Sequence, residues 1–367
     1  MPIYLDRHNT PDEISAEHVA EMHQMDLKIQ HKYNCRGFTY WFDEKRKSGF
    51  CLIEAPNKEA IKKMYETAHG AIPSQIIEVD PTIVESFLGR IEDPIKAQNT
   101  NFNIINDPTF RIIMVTGFKN NYLNNSEVFP NKQSLKYYNN SIVKLIIRFN
   151  GSLVKNKSDY LLISFESISD AVLCAIEIQT EFKNFINTNE YTELKLKIGL
   201  SSGVPVTEKL EIFEETIKLA ERLCNVVTGQ IVVSSEVKDL YESESLNVII
   251  DRKLIRALRP SDENFLNILM DFTEKIWNKT DLKVDDFSKN LGLSKSQLYR
   301  KVKFITGKSI NSFVKEYRLQ KALDLLEKQK GNISEIAFET GFNSPAYFSK
   351  CFFETYGILP SNYLKSA

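Results

Sequence analysis

All five histidines of this 367-residue chain, His8, His18, His23, His31 and His69, fall within the first 69 positions. Random placement would do this on the order of a few times in ten thousand, so histidine serves something local there. Imidazole with an occasional carboxylate suits nickel, copper or zinc, and the absence of clustered cysteines argues against a soft thiolate site. His23 lies beside the apolar stripe of Val19 and Met22 with Asp26 one turn further on, whereas His18 and His31 lie nearer helix ends. A second set of chemistry-bearing residues is basic. Between Leu291 and Lys330 ten Lys or Arg face three acids, a local balance of +7 within a chain whose net charge is −1. A basic run is most often only a solvated helix face; what sets this one apart is the pattern of helices around it.

From Val284 the chain reads as a short helix, a turn through Gly292, Ser294 as an N-cap, and a helix with Leu298 and Val302 on one face. That is a helix-turn-helix. Burying Leu298 and Val302 leaves Lys295, Ser296, Gln297, Arg300 and Lys301 outside, where Gln and Arg have the geometry to pair with adenine and guanine edges. About fifty residues on the unit recurs: a turn at Gly341, Ser344 as N-cap, Pro345 at the first helical position, and Phe348 with Phe352 as the core pair. Tyr347, Ser349 and Lys350 then point outward. A helix over roughly 310–329 fixes the separation of the two reading helices, which suits successive major grooves about 34 Å apart.

The histidines are carried by strand and helix patterns in the order βαββαβ: PIYLDRH, a helix from Ser15 to about Gln30, RGFTYWFD, SGFCLIEA, a helix from Lys58 to Ala68, and SQIIEVD. This order predicts a ferredoxin-like sheet with two helices on one face, bringing His8 and His69 to one end. After a Pro- and Asn-containing linker near 92–108, strands and helices alternate again from Arg111 to Glu242. The fold class expected is therefore α+β multidomain, ending in an all-α tandem helix-turn-helix region, with boundaries at 1–88, 109–250 and 260–367. Length alone favours two or three domains.

Three resemblances add to this reading. The C-terminal region, including its GILPSNYL ending, resembles the AraC-type DNA-binding domain, with Leu364 where that family usually has Arg. The resemblance implies a sequence-specific transcription regulator whose partners are double-stranded DNA, a second copy of the chain and RNA polymerase. The segments YLDRH, MHQMDLKIQHKY, TYWFD, FCLIEAP and AHG resemble small ferredoxin-like nickel-binding proteins. That likeness places His23 and His69 on motif histidines and Tyr40, Trp41 and Cys51 on strand motifs; His8, His23 and His69 rank first as ligands of nickel or another divalent transition metal. The middle segments RFNGSLVKNKSDYLLISFESISDAVLCAIEIQ, LKLKIGLSSGVPV and EETIKLAERLCNVVTGQIVVSSEVKDL resemble class III nucleotide cyclase domains. The resemblance puts Asp159 on a metal-binding position and Arg222 on the transition-state arginine. Met114, however, replaces the other metal-binding Asp, and Lys218 replaces an Asn. A methionine cannot ligate magnesium, so two-metal chemistry is expected to fail and the domain is expected not to be an enzyme but to pair with its twin. The alternative is a regulator responding to a nucleotide or small molecule at this domain, and the more remote one an active cyclase.

Composition limits the rest. With 42% apolar and 26% charged residues and no apolar run approaching the roughly 20 residues of a membrane span, a membrane role is not expected. The start, MPIYLDRHNT, lacks an export signal, and Cys35, Cys51, Cys174, Cys224 and Cys351 are odd in number without CxxC spacing. Both features predict a reduced, cytoplasmic protein.

Overall fold

Alternation along the first strand determines how the N-terminal domain is used on both sides. In β1 (Ile3–Asn9), Tyr4, Asp6 and His8 project to one face and Leu5 and Arg7 to the other, as the period of two in a strand requires. The computed structural model describes residues 1–95, 103–119, 132–156, 160–189, 194–244 and 253–366. In it β1 joins β2 (Arg36–Asp43), β3 (Ser48–Glu54) and β4 (Gln75–Glu78) in an antiparallel sheet of order β2-β3-β1-β4. Helices α1 (Ala16–Ile29) and α2 (Lys58–Ala68) cover the Tyr4 face, where Ile53, Ile61, Met64 and Tyr65 pack. This is the expected βαββαβ arrangement, and the α2 limits are those read from sequence.

The opposite face is not left to solvent. Leu5, Trp41, Phe50 and Leu52 pack with Val84, Phe87 and Leu88 of α3 (Pro81–Leu88) and with Ile113, Val115 and Leu162 of the middle domain. The connecting chain is also less of a loose linker than its composition suggested. Residues 103–110 return along β2: the Tyr40 hydroxyl donates to Asn103 O at 2.7 Å and accepts from Ile105 N at 2.9 Å.

The middle domain contains β5 (Arg111–Lys119), α4 (Lys132–Arg148), β6 (Ser152–Asn156), β7 (Tyr160–Phe165), α5 (Ile168–Asn189) and β8 (Lys195–Gly203). It continues through α6 (Glu214–Asn225), β9 (Ile231–Val233), α7 (Ser235–Glu244) and β10 (Ile255–Ala257). The sheet order is β10-β9-β8-β5-β7-β6, with β8, β9 and β10 mutually parallel and the other pairs antiparallel. Strand β10 extends the domain past the expected limit at residue 250. Ile112, Met114 and Ile163 face α4, α5 and α7, while Ile113 and Val115 face the N-terminal sheet. Strand β5 is therefore covered on both sides, and this explains its near-continuous apolar run.

Arg111 stands at the join. It is 1% exposed and donates to Phe87 O (3.0 Å), Pro108 O (2.7 Å), Phe110 O (3.1 Å) and Glu166 Oε1 (2.9 Å). The carbonyl of Phe87 belongs to the last turn of α3, one of the groups a helix leaves without an internal partner, and a cation there also meets the negative end of the helix dipole. Burial lowers the Arg111 pKa, opposed by the Glu166 charge.

Among the described residues seven helices follow: α8 (Pro260–Ile276), α9 (Val284–Asn290), α10 (Lys295–Thr306), α11 (Ile310–Glu327), α12 (Ile333–Glu339), α13 (Pro345–Tyr356) and α14 (Pro360–Ser366). They hold two cores. One contains Leu298, Val302, Ile305 and Phe265, and continues into Leu223, Val227 and Val232 of the middle domain. The other, with Phe348, Phe352, Leu319 and Ile336, is drawn from residues 319–364. The first helix-turn-helix is thus fused to the middle domain, while the second is joined to it by α11. Among the described residues no helix is long and apolar enough to cross a membrane.

Candidate functional site

The register of β1 against β3 sets Asp6 directly opposite Cys51, and His8 lies two residues along on the same face. Donor atoms of Asp6, His8 and Cys51 consequently lie within 4.8 Å of one another. Asp6 is fully buried; the Tyr65 hydroxyl donates to its Oδ2 at 2.8 Å and Cys51 N to its Oδ1 at 3.2 Å. His8 Nε2 lies 3.3 Å from the same Oδ1 but is not aligned for a hydrogen bond. Burial pushes the Cys51 thiol and the Tyr65 phenol well above their ordinary values.

The other two histidines expected as ligands stand beside this trio rather than in it. His69 Nε2 is 3.1 Å from Asp26 Oδ1, and its Nδ1 accepts from Ala71 N at 3.1 Å. The Tyr65 ring lies between His8 and His69, with centroids at 4.9 and 5.5 Å. His23 packs on Tyr40 at 4.8 Å; burial depresses its pKa, holding it neutral, and burial raises that of Asp26. A small cavity between α1, α2 and the sheet is bounded by His23, Asp26, Gln30, Gly37, Cys51 and Tyr65. His8 and His69 thus lie at one end of the domain, as expected, each against the Tyr65 ring. His18 serves as an N-terminal cap, its Nδ1 accepting from Ser15 N at 3.2 Å, and His31 is exposed on a short 3₁₀ turn.

Asp6 was absent from the expected ligands and Cys51 was noted only as a strand-motif residue. The period-two spacing in YLDRH would have put Asp6 beside His8; pairing with Cys51 needs the strand register. The buried His8 Nε2, without an aligned hydrogen-bond partner, leaves coordination capacity unused. Imidazole, carboxylate and thiol converging on one point form a donor set that suits a borderline divalent ion such as nickel or zinc.

In the C-terminal region Ser294 Oγ accepts from Gln297 N at 3.3 Å and Ser344 Oγ from Tyr347 N at 3.1 Å, so both reading helices start where expected. Ser296 and Arg300 are exposed on α10, and Tyr347 and Lys350 on α13; Ser349 is half-buried. Four expected contacts have other engagements, Lys350 among them with its Nζ 3.9 Å from Glu354 Oε1. Gln297 Oε1 accepts from Ser294 N at 3.0 Å, closing a capping box, so a bidentate adenine contact would cost that cap. Lys295 pairs with Asp285 at 2.6 Å, and Lys301 is half-buried with its ammonium 5.0 Å from the Phe265 ring. Exposed aromatics that the basic pattern did not single out share these surfaces: Tyr299 and Phe304 on α10, Phe353 on α13.

Two of the cyclase-like positions, Met114 and Arg222, are buried. Met114 is fully buried in the middle-domain core. Arg222 is 7% exposed and turned into α8, donating to Asn267 Oδ1 (2.8 Å) and Asp271 Oδ1 (2.5 Å) with Glu274 Oε1 at 3.5 Å. Lys218 pairs with Glu214 at 2.7 Å. Asp159 lies outside the described residues. Arg222 was singled out for phosphate chemistry; in the structure it joins two domains.

Comparison with known proteins agrees with the two ends of the chain. Residues 4–79 match the family of nickel responsive proteins, SCO4226-like, and residues 287–366 match a helix-turn-helix domain family. Histidine kinase P4 of Formosa agariphila is 33% identical over 168 residues, covering 45% of this chain and 11% of that protein. The Msm operon regulatory protein of Streptococcus mutans is 37% identical over 84 residues, 23% of this chain and 30% of that one. The chain thus spans less than a third of the length of either relative. Among solved structures, the guanylyl cyclase Cya2 aligns with 36% of this chain and 77% of its own, at 17% identity and a TM-score of 0.30.

Proposed function

We propose that this chain is a sequence-specific transcription regulator of the AraC type, with a helix-turn-helix region that reads DNA and an N-terminal domain that binds a divalent transition metal, nickel being favoured. The carrying observation is the pair of N-capped helices α10 and α13, each above its own buried core, within a region that matches a helix-turn-helix family. Arg300 and Lys350 are exposed on these helices, with Lys295, Ser296, Lys301, Tyr347 and Ser349 around them and Gln297 in a capping role. Arg300→Ala is expected to weaken binding to a preferred duplex by about 1 to 3 kcal/mol and to relax base preference at one position. Anisotropy titrations against matched and mismatched duplexes measure this; equal loss on every duplex would reduce Arg300 to a phosphate contact.

For the metal, Asp6, His8 and Cys51 would hold the ion, with His23 and His69 completing its surroundings. A bound divalent ion supplies the positive charge that stabilises a buried carboxylate and thiolate together. Tyr65 orients Asp6 through its hydrogen bond and keeps His8 and His69 apart. Calorimetric titration of nickel into chelator-treated protein should give saturable binding, weakened at least about tenfold by His8→Ala or by Cys51→Ser. Wild-type protein that takes up no nickel, zinc or copper would exclude a metal role for this domain.

A response to metal requires different affinities of the ion for two arrangements of the chain, and about 1.4 kcal/mol of coupling changes DNA affinity tenfold. The strand that carries Asp6 and His8 carries Leu5 on its reverse, packed into the middle domain. That domain shares a core with the first helix-turn-helix. The middle domain serves here as a connecting body without catalysis, since Arg222 is committed to α8 and Met114 to the core. Pairing of two chains is part of the proposal; it would use the α4 surface, where Tyr137 and Ile147 are 71% and 68% exposed. RNA polymerase as a partner and a cytoplasmic location follow from the regulator reading.

A further inference from the structure

We propose that Arg256, on strand β10 of the middle domain, is a positioning residue for the first reading helix and controls the base discrimination of that helix from outside the DNA-binding region. The inference rests on the DNA-binding reading above. The last carbonyls of any α-helix lack partners within the helix. At the end of α10 two of them are satisfied by the middle domain: Arg256 Nη2 donates to Phe304 O at 2.8 Å, and Thr228 N donates to Ile305 O at 2.9 Å. Arg256 Nη1 also donates to Thr228 O at 2.5 Å and to Ile305 O at 3.4 Å. One guanidinium thus ties the loop before β9 to the last turn of the reading helix, and its carbon lies 5.1 Å from the centre of the Phe304 ring.

Charge favours the same arrangement, because a cation at a helix C-terminus meets the negative end of the dipole. Gly307, at φ 73°, then turns the chain away, and Lys303 Nζ donates to its carbonyl at 2.7 Å. Packing beneath is continuous, with Ile305, Val302 and Phe265 in one core with Val227 and Val232. The second reading helix stands on a core drawn from residues 319–364, so this control applies to α10 alone. Base contacts need side chains held within about 0.5 Å of the productive position, and the tilt of α10 in its groove decides whether Arg300 achieves this. Thr228 holds α10 through its main chain, so substitution of Arg256 leaves the helix attached while its end is free to tilt.

The test uses the full chain, a duplex enriched by the wild type from random DNA, and a scrambled duplex. Arg256→Ala is expected to lower the preference for the enriched duplex over the scrambled one by about tenfold, with affinity for the scrambled duplex within about twofold of wild type. Base substitutions in each half of the enriched duplex should place the loss in the half read by α10, and Arg256→Lys, which keeps the charge, should recover part of the preference. Should Arg256→Ala fail to fold, Arg256→Met retains the stem over Phe304 and carries the same expectation. Unchanged preference in a folded variant, or loss spread equally over both halves, overturns the proposal. Wild-type protein that enriches no sequence would instead overturn the DNA-binding reading, a result distinguishable at the first step.

Discussion

Arg111→Met should destabilise the chain by about 2 to 5 kcal/mol, because Arg111 is 1% exposed and the carbonyls around it lose their donor, while the Glu166 side chain, 66% exposed, keeps its hydration. The arginine is surrounded by the carbonyls of Phe87, Pro108 and Phe110 and by the Glu166 carboxylate. Methionine fills much of its volume but donates nothing, so carbonyls inside the join lose their partners at a cost of about 1 to 3 kcal/mol for each that stays dry. Because these groups link α3 to β5, the loss should loosen the N-terminal domain from the middle domain before either one melts. Urea unfolding followed by Trp41 fluorescence is the direct measurement, since Trp41 is buried in the shared core. A midpoint shift equivalent to less than about 1 kcal/mol would mean that water replaces the guanidinium and that the join does not depend on Arg111.

Phe348→Ala is the second large effect, expected at about 3 to 5 kcal/mol as for other buried aromatic truncations. Phe348 is fully buried and lies against Phe342 and Phe352, with ring centroids 5.2 and 5.7 Å away. The core it serves is drawn from residues 319–364. The damage should therefore stay local: the second helix-turn-helix loosens while the first, fused to the middle domain, keeps its structure. Nuclease footprints on a selected duplex should shorten from two protected elements to one. Loss of both elements together would show that the two heads fold as a single unit.

Much of this fold was legible because the informative contacts are local. The limits of α2, the caps Ser294 and Ser344, and the core pairs Leu298 with Val302 and Phe348 with Phe352 all depend on residues within a few positions of one another. The candidate metal centre was legible only in part. Histidine density located its domain and His8 one of its groups, but the closeness of Asp6 and Cys51 depends on cross-strand register, which joins residues 45 positions apart. The arginines were the hardest to place. Arg111 and Arg256 carry no local signal, and Arg222 resembles a transition-state arginine, because nothing in the sequence names the distant carbonyls and carboxylates that receive them. For the same reason the sequence marks a boundary between residues 250 and 260 but not the core that residues 223–232 and 265–305 share.

The most direct test of the central claim, that this chain reads DNA through two helices, is selection from a random duplex library by the 367-residue chain, repeated with Arg300→Ala and with Phe348→Ala. The expected product is a bipartite site whose two short elements lie about one helical turn, roughly 10 base pairs, apart. Arg300→Ala should relax one element and Phe348→Ala should erase the other. A library that shows no enrichment, or a site that survives both substitutions unchanged, would contradict the account.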